Sequence, residues 1–285
     1  MQLSKELNTA IALARTAGKA IMEFYDSDFL VEEKTTKDNH TEPVTIADKT
    51  ASKIIVEGLL KEFPDDGILS EEETDTHHRL DKKRLWLIDP MDGTKGFVQK
   101  NGDFAVQIGL AEDGEMKLGV VFLPFENVLY FASKGNGAFV VENDESPKLL
   151  QVSAKTDFTE MILAVSRDHR SPKMSRVDNH FGFSQEIQRG SVGLKIGLIA
   201  NQICDIYIHL SPRTKHWDSA APEIIIKEAG GNLTDLFGDT ILYNTSDVHN
   251  HNGILATNGV SHEKAVKSLR PLLTQFGRLR IQTIR

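Results

Sequence analysis

Trp86-Leu87-Ile88-Asp89-Pro90-Met91-Asp92-Gly93-Thr94 decides how this chain is read, because an apolar strand runs there into a proline-stiffened turn carrying two carboxylates three residues apart. Leu85 to Ile88 have the length and apolar character of a buried strand. Pro90 fixes its own φ, Gly93 lets the backbone approach a ligand closely, and Thr94 offers a hydroxyl and an N–H near a possible helix start. Two acids aimed inward by such a turn suit a hard divalent cation in an all-oxygen environment. The same residues also make an ordinary surface turn, since Asp-Pro and Asp-Gly are turn formers. Taken alone, the segment leaves both readings open.

The flanking sequence adds further acids at comparable places. A second short strand, Gly67 to Ser70, stops at Glu71-Glu72-Glu73. Trp217-Asp218-Ser219-Ala220-Ala221-Pro222 puts an acid just ahead of a helix predicted over 219–229, with Pro222 in its first turn; by itself Asp218 reads as a helix cap.

Around these segments the periodicity predicts an α/β protein. Leu7, Ile11, Ala14, Gly18, Ile21 and Tyr25 mark one amphipathic helix, and Ala51, Ile54, Ile55, Gly58 and Leu59 mark another. The polar stretch 32–42 between them reads as a long loop. Residues 104–111, 117–123 and 128–132 read as antiparallel strands, followed by a Gly135-Asn136-Gly137 turn that lacks the strand-to-helix setting of a dinucleotide site. After a polar stretch, strands at 161–166, 206–210 and 253–257 alternate with helices at 191–200, 219–229 and from 263. The expected organisation is an N-terminal α+β half, 1–154, carrying most of the acids, and a C-terminal α/β half, 155–285, carrying Asp218.

Composition narrows the function. A chain of 285 residues, 40% hydrophobic and 26% charged, can bury a sizeable core. The net charge of -8 argues against a nucleic-acid polymer as partner, because phosphate polymers are held by Lys and Arg fields. No apolar run is long enough for a membrane span and no leader pattern opens the chain, so residence in the cytoplasm is expected. The single Cys204 sits in an apolar stretch and is expected to be a packed thiol.

In this order, Pro43-Val44-Thr45-Ile46-Ala47-Asp48, Ser70-Glu71-Glu72, Asp89-Pro90-Met91-Asp92-Gly93-Thr94 and Trp217-Asp218-Ser219-Ala220-Ala221 closely resemble the inositol monophosphatase superfamily, with Glu228-Ala229-Gly230-Gly231 after them. The resemblance covers most of the chain and implies a layered α-β-α-β-α sandwich. It implies a phosphomonoesterase that uses two or three Mg2+ ions and is inhibited by Li+. Carried over, Glu71, Asp89, Asp92 and Asp218 are metal ligands together with the Met91 carbonyl, Asp48 and Thr94 activate the attacking water, and Gly93 and Thr94 hold the phosphate. Glu72 is placed to support a neighbouring ligand or simply to be solvated.

Thr94-Lys95-Gly96-Phe97, Ser166-Arg167-Asp168-His169-Arg170, Gly190-Ser191-Val192-Gly193-Leu194-Lys195 and Ala221-Pro222-Glu223 are similar to the 3'(2'),5'-bisphosphate nucleotidase branch. That branch acts on adenosine 3',5'-bisphosphate, a by-product of sulfate-donor metabolism. A second phosphate on the substrate calls for cations outside the metal centre, which Arg167, Lys195 or Arg213 could supply. Ser191 belongs to the same group of candidates, and His169 could meet the base. An inositol or sugar phosphate substrate is the nearest rival. A non-catalytic sensor of metal and nucleotide is a rival of another class, although no ligand position is lost. Oligomeric state is not legible.

Two histidine pairs remain. His249-Asn250-His251-Asn252 lacks a cysteine pair or third histidine at zinc-ligand spacing and reads as a polar loop. His77-His78 lies among charges and reads as a solvated loop near Glu71 that can close over a ligand.

Overall fold

The computed structural model describes residues 4–27, 31–35, 41–167 and 171–282. Helix α1 (Lys5–Tyr25) begins where Ser4 Oγ accepts from the Leu7 N–H at 3.2 Å, and Leu7, Ala10, Ala14, Ala17, Ile21 and Tyr25 form its buried stripe. Strands β1 (Val31–Thr35) and β2 (Thr41–Thr45) then pair antiparallel, from Val31↔Thr45 to Thr35↔Thr41. Much of the expected 32–42 loop is therefore a ladder. Its sequence is mostly polar, so alternation gave no signal; residues 36–40 lie outside the described set. Thr45 caps α2 (Ile46–Glu62) in a reciprocal box with Asp48, the arrangement that brings Asp48 to the site described below.

A seven-stranded sheet follows in chain order. Its members are β3 (Gly67–Ser70), β4 (Arg84–Asp92), β5 (Ala105–Glu112), β6 (Glu115–Leu123), β7 (Val128–Ser133), β8 (Ala138–Glu142) and β9 (Lys148–Leu149). β3 runs parallel to β4 and every later neighbour is antiparallel. The short helix α3 (Thr94–Val98) leaves the end of β4.

The second sheet contains β10 (Ile162–Ser166), β11 (Gln185–Arg189), β12 (Ile206–His209), β13 (Asn232–Thr234) and β14 (Ile254–Thr257), ordered β11-β10-β12-β14-β13. Between these strands the chain forms α4 (Pro172–Phe181), α5 (Val192–Ala200) and α6 (His216–Glu228), and α7 (His262–Gln275) follows β14.

Three apolar cores stack these parts into five layers. α1 and α2 cover the outer face of the large sheet through Leu7, Ile55, Trp86 and Val120. α5 and α6 fill the space between the sheets, joining Leu87 and Val121 to Ile196, Ile225 and Ile254. α4 and α7 cover the far face of the small sheet through Val177, Leu163 and Leu269. The result is the expected α-β-α-β-α sandwich. No described helix is long and apolar enough to cross a membrane.

Two local expectations change. The acid-bearing segment 89–92 is part of β4: Asp89 pairs with Gln107 and Asp92 with Ala105, so β4 uses one more residue than β5. That bulge accommodates Pro90, which has no N–H to give the ladder. Asp218 lies inside the first turn of α6, and Pro222 sits seven residues into the helix rather than at its start. His77 and His78 are exposed, while the neighbouring Arg79 is buried, pairs with Asp75 at 2.9 Å and donates to the Thr245 carbonyl at 3.0 Å. Cys204 is buried, and burial pushes its thiol up to about 12.

Candidate active site

The bulge in β4 turns successive acids toward one cavity. Asp89 is buried, and its Oδ1 accepts from the Met91 N–H at 3.1 Å, which holds the bulge closed. Asp92 belongs to the first sheet yet caps the first turn of α5 in the second half. Its Oδ2 accepts from the N–H groups of Val192 and Gly193, from Ser191 Oγ at 2.7 Å, and from Gln107 Nε2 at 2.7 Å. A carboxylate at a helix N-terminus is favoured by the orphan donors there. One side chain thus fixes α5 against the seven-stranded sheet.

Asp218 is delivered by close helix-on-sheet packing. A Cβ added at Gly119 of β6 would stand 2.5 Å from the Ala221 carbonyl, and one at Gly109 of β5 would stand 3.1 Å from the Ala221 N–H. The Ser-Ala-Ala run of α6 therefore lies almost on the sheet backbone, which explains small residues directly after Asp218. Asp218 Oδ2 accepts from the Lys215 N–H at 2.6 Å.

Carboxylate oxygens of Asp89, Asp92 and Asp218 lie within 4.8 Å of one another. Glu71, at the end of β3, lines the same cavity, which measures about 240 Å3. The charges feel each other. Burial first, then the charges of Glu71, Asp92 and Asp218, raise Asp89 well above the usual carboxylate range. Burial, then Asp92 and Glu71, raise Asp218 to about 8. Asp92 is also raised, with burial outweighing its Lys195, Ser191 and backbone partners. All-oxygen, mutually repelling and open to the cavity from a buried Asp89 and partly buried neighbours, this donor set fits hard divalent cations, whose charge removes the repulsion.

Beside it stands a hydrogen-bonded pair. Asp48 is buried; its Oδ2 accepts from Thr45 N and Thr45 Oγ1, both at 2.7 Å, leaving Oδ1 for the Thr94 hydroxyl at 3.0 Å. Thr94 Oγ1 also lies 3.3 Å from the Met91 carbonyl. Burial, with a contribution from the Glu72 charge, raises Asp48 to about 6 against the pull of the Thr45 bonds. Gly93 precedes α3 at φ 97°, and a Cβ there would meet the Asp103 carbonyl at 2.3 Å. Glycine is required on both counts.

The same cavity is also lined by cations: Arg167, Arg213 and, from α5, Lys195. Lys195 is buried, with its ammonium on the carbonyls of Gly190 and Ser191, the latter at 2.8 Å, and 5.1 Å above the Tyr207 ring. Burial lowers it to about 8 although Asp92 and Asp103 oppose the shift. Ser191 Oγ is engaged by Asp92. His169 lies outside the described residues. Glu223 binds Tyr243 Oη at 2.5 Å and is not among the cavity's lining residues.

Asp103 is the residue that sequence reasoning missed. Almost wholly buried, it accepts from Arg167 Nε at 2.7 Å, Arg189 Nε at 2.8 Å and Gly190 N at 2.8 Å. Its local sequence, Asn101-Gly102-Asp103, looks like any turn, and its partners lie more than sixty positions away. Gln107 gave no signal for the same reason.

With this geometry, comparison with known proteins is informative. Residues 2–274 match the inositol monophosphatase family. The chain belongs to that family. Within it, the chain is 36% identical over 238 residues to the 3'(2'),5'-bisphosphate nucleotidase CysQ of Salmonella typhimurium, spanning 83% of this chain and 93% of that one. It is 31% identical over 280 residues to the fructose-1,6-bisphosphatase/inositol-1-monophosphatase of Thermotoga maritima, spanning 95% and 98%. Among solved structures, an IMPase of Thermotoga maritima superposes with a TM-score of 0.79 at 29% identity, covering 96% of this chain and all of that one. CysQ from Bacteroides thetaiotaomicron superposes with a TM-score of 0.73 at 29% identity, covering 89% and 97%.

Proposed function

We propose that this family member is a magnesium-dependent 3'(2'),5'-bisphosphate nucleotidase that removes the 3'-phosphate of adenosine 3',5'-bisphosphate, giving AMP and phosphate. The observation that carries the reading is a single cavity lined both by mutually repelling carboxylates and by arginines. A phosphate to be cleaved belongs with the carboxylates and a phosphate to be gripped belongs with the arginines.

Glu71, Asp89, Asp92, Asp218 and the Met91 carbonyl hold the Mg2+ ions. When bound, the ions neutralise phosphate charge and acidify water, as hard Lewis acids do. Thr45 pins one oxygen of Asp48, so the other receives the Thr94 proton, which orients the lone pairs of the Thr94 oxygen toward the attacking water. Asp48, raised to about 6, takes up a proton as the water attacks near neutral pH. The N–H groups of Gly93 and Thr94 orient the scissile phosphate at the start of α3. Arg167 and Arg213 grip the second phosphate. Lys195 offsets the charge of Asp92 from below, and Ser191 holds that carboxylate in place. Li+, small and oxygen-seeking, competes for the carboxylates. The enzyme acts in the cytoplasm.

An inositol or sugar phosphate substrate is the competing reading, favoured by the Thermotoga relative's near-complete coverage. Incubation with adenosine 3',5'-bisphosphate and Mg2+, followed by phosphorus NMR, tests the choice. The expected product is adenosine 5'-monophosphate. Release of adenosine 3'-monophosphate, or faster hydrolysis of inositol 1-phosphate, would overturn it.

A further inference from the structure

The segment that pairs with the strand leading into Asp218 carries a second cluster of ligating side chains. Asp247, His249 and His251 alternate along the chain, which on an extended backbone puts all three on one side. His249 does sit in a β-bridge with Lys215, flanked by His216 N to Val248 O at 2.8 Å and Asn250 N to Thr214 O at 2.8 Å. One ligand atom from each of Asp247, His249 and His251 lies within 4.8 Å of the other two. His249 Nδ1 is 2.9 Å from Asp247 Oδ1 and His251 Nε2 is 2.7 Å from Asp247 Oδ2, and the two rings stack at 5.4 Å. The polar loop expected from the sequence thus carries an Asp-His-His cluster.

A second observation points the same way. His249 and His251 border a cavity of about 310 Å3 that is also lined by His216 and Asn250. Both of these are more than nine-tenths buried, and His216 Nδ1 and Asn250 Oδ1 have no hydrogen-bond partner. Buried polar atoms are seldom left unpaired without a ligand or water to meet them. Two orphaned polar atoms on residues that share a cavity with both imidazoles make a polar recess beside the cluster.

We propose that Asp247, His249 and His251 bind a borderline transition-metal ion of the Zn2+ class, at a site separate from the all-oxygen centre. Two imidazoles and one carboxylate leave a fourth position open, the donor set that zinc accepts and that magnesium disfavours. Asp247 already orders both rings, so little reorganisation is needed. All three ligands lie in the 247–251 segment, which backbone hydrogen bonds join to residues 214–216, where the Lys215 N–H anchors Asp218. The ion therefore stiffens a segment bonded to the one that holds Asp218, without entering the catalytic centre.

Titration of the full chain with Zn2+ by calorimetry, with Mg2+ in large excess to fill the acidic centre, tests the site. The expected result is one Zn2+ per chain, weakened at least about tenfold for each imidazole removed in His249→Asn and His251→Asn. Zn2+ should raise the melting temperature of the wild type and not of the double variant. Co2+ gives a readout that needs no variant, because imidazole ligation in a four-coordinate site produces intense visible absorption and an oxygen-only octahedral site does not. His251→Cys should retain the metal and add a thiolate charge-transfer band. Equal Zn2+ binding by wild type and the double variant, or only weak octahedral Co2+ absorption in the wild type, would overturn the proposal.

Discussion

The acids and the arginines of the main cavity are built on opposite electrostatic plans. On the metal side of the chemistry, Asp89, Asp92 and Asp218 are held together by packing and remain under mutual repulsion. On the arginine side, Arg167 of the cavity lining shares the buried carboxylate Asp103 with Arg189, which is not among the lining residues and also meets Glu126. The acids store unbalanced charge until cations arrive; the Arg167 group is largely balanced in advance. Catalytic metal binding and substrate grip therefore respond differently to substitution, and the difference can be measured.

The largest effect belongs to the acids. Asp92→Asn removes a ligand and also the cap of α5, so kcat should fall about 10³-fold, with Mg2+ affinity reduced in the same titration. Wild-type kcat in that variant would break the assignment. Thr94→Ala should lower kcat about 10²-fold while Mg2+ binding, followed by calorimetry, stays as in wild type. Joint loss of both would make Thr94 part of the metal shell instead.

The balanced Arg167 group should give a smaller response of another kind. Arg167→Ala is expected to raise KM for the bisphosphate roughly 10- to 100-fold with little change in kcat, the range of one charge-assisted hydrogen bond to phosphate. A fall in kcat at constant KM would place Arg167 with the reacting phosphate.

Stability separates the acids and the arginines further. Asp48 and Asp218 bind protons more tightly in the folded protein, with values of about 6 and about 8 against an ordinary 3.8. Their contribution is present below pH 3.8 and is lost as pH rises through those values. Melting of the metal-free protein should therefore show a downward slope between about pH 4 and pH 8 that is flatter in Asp218→Asn and removed by Mg2+. A wild-type slope equal to that of the variant would mean that Asp218 is not under this load. Gly119→Ala, which drives a methyl toward the Ala221 carbonyl, should cost about 1–3 kcal/mol in denaturant unfolding.

Much of this architecture was readable in the sequence. Helical spacing located α1 and α2, and the apolar runs of β3 and β4 led to Glu71 and Asp89, because burial imposes a pattern on sequence. The acid-rich motifs marked the metal ligands because their chemistry is local. Asp-Pro-Met-Asp read as a turn, since proline argues against a strand unless a bulge absorbs it, and bulges leave no separate mark. Asp218 read as a cap because its true N-cap, Lys215, is an unusual residue there. Asp103, Gln107 and the service of Ser191 to Asp92 depend on contacts between distant segments, which no local pattern encodes. The β1–β2 ladder was hidden by its polar composition.

The division of labour between the acids and the arginines has one direct test. With Mg2+ saturating, kcat/KM is measured for adenosine 3',5'-bisphosphate and for adenosine 3'-monophosphate, which lacks only the phosphate assigned to the arginines. The account predicts a preference of about 10- to 100-fold for the bisphosphate, reduced by Arg167→Ala and abolished when Arg213→Ala is added. Equal kcat/KM for the two nucleotides in the wild type would contradict it.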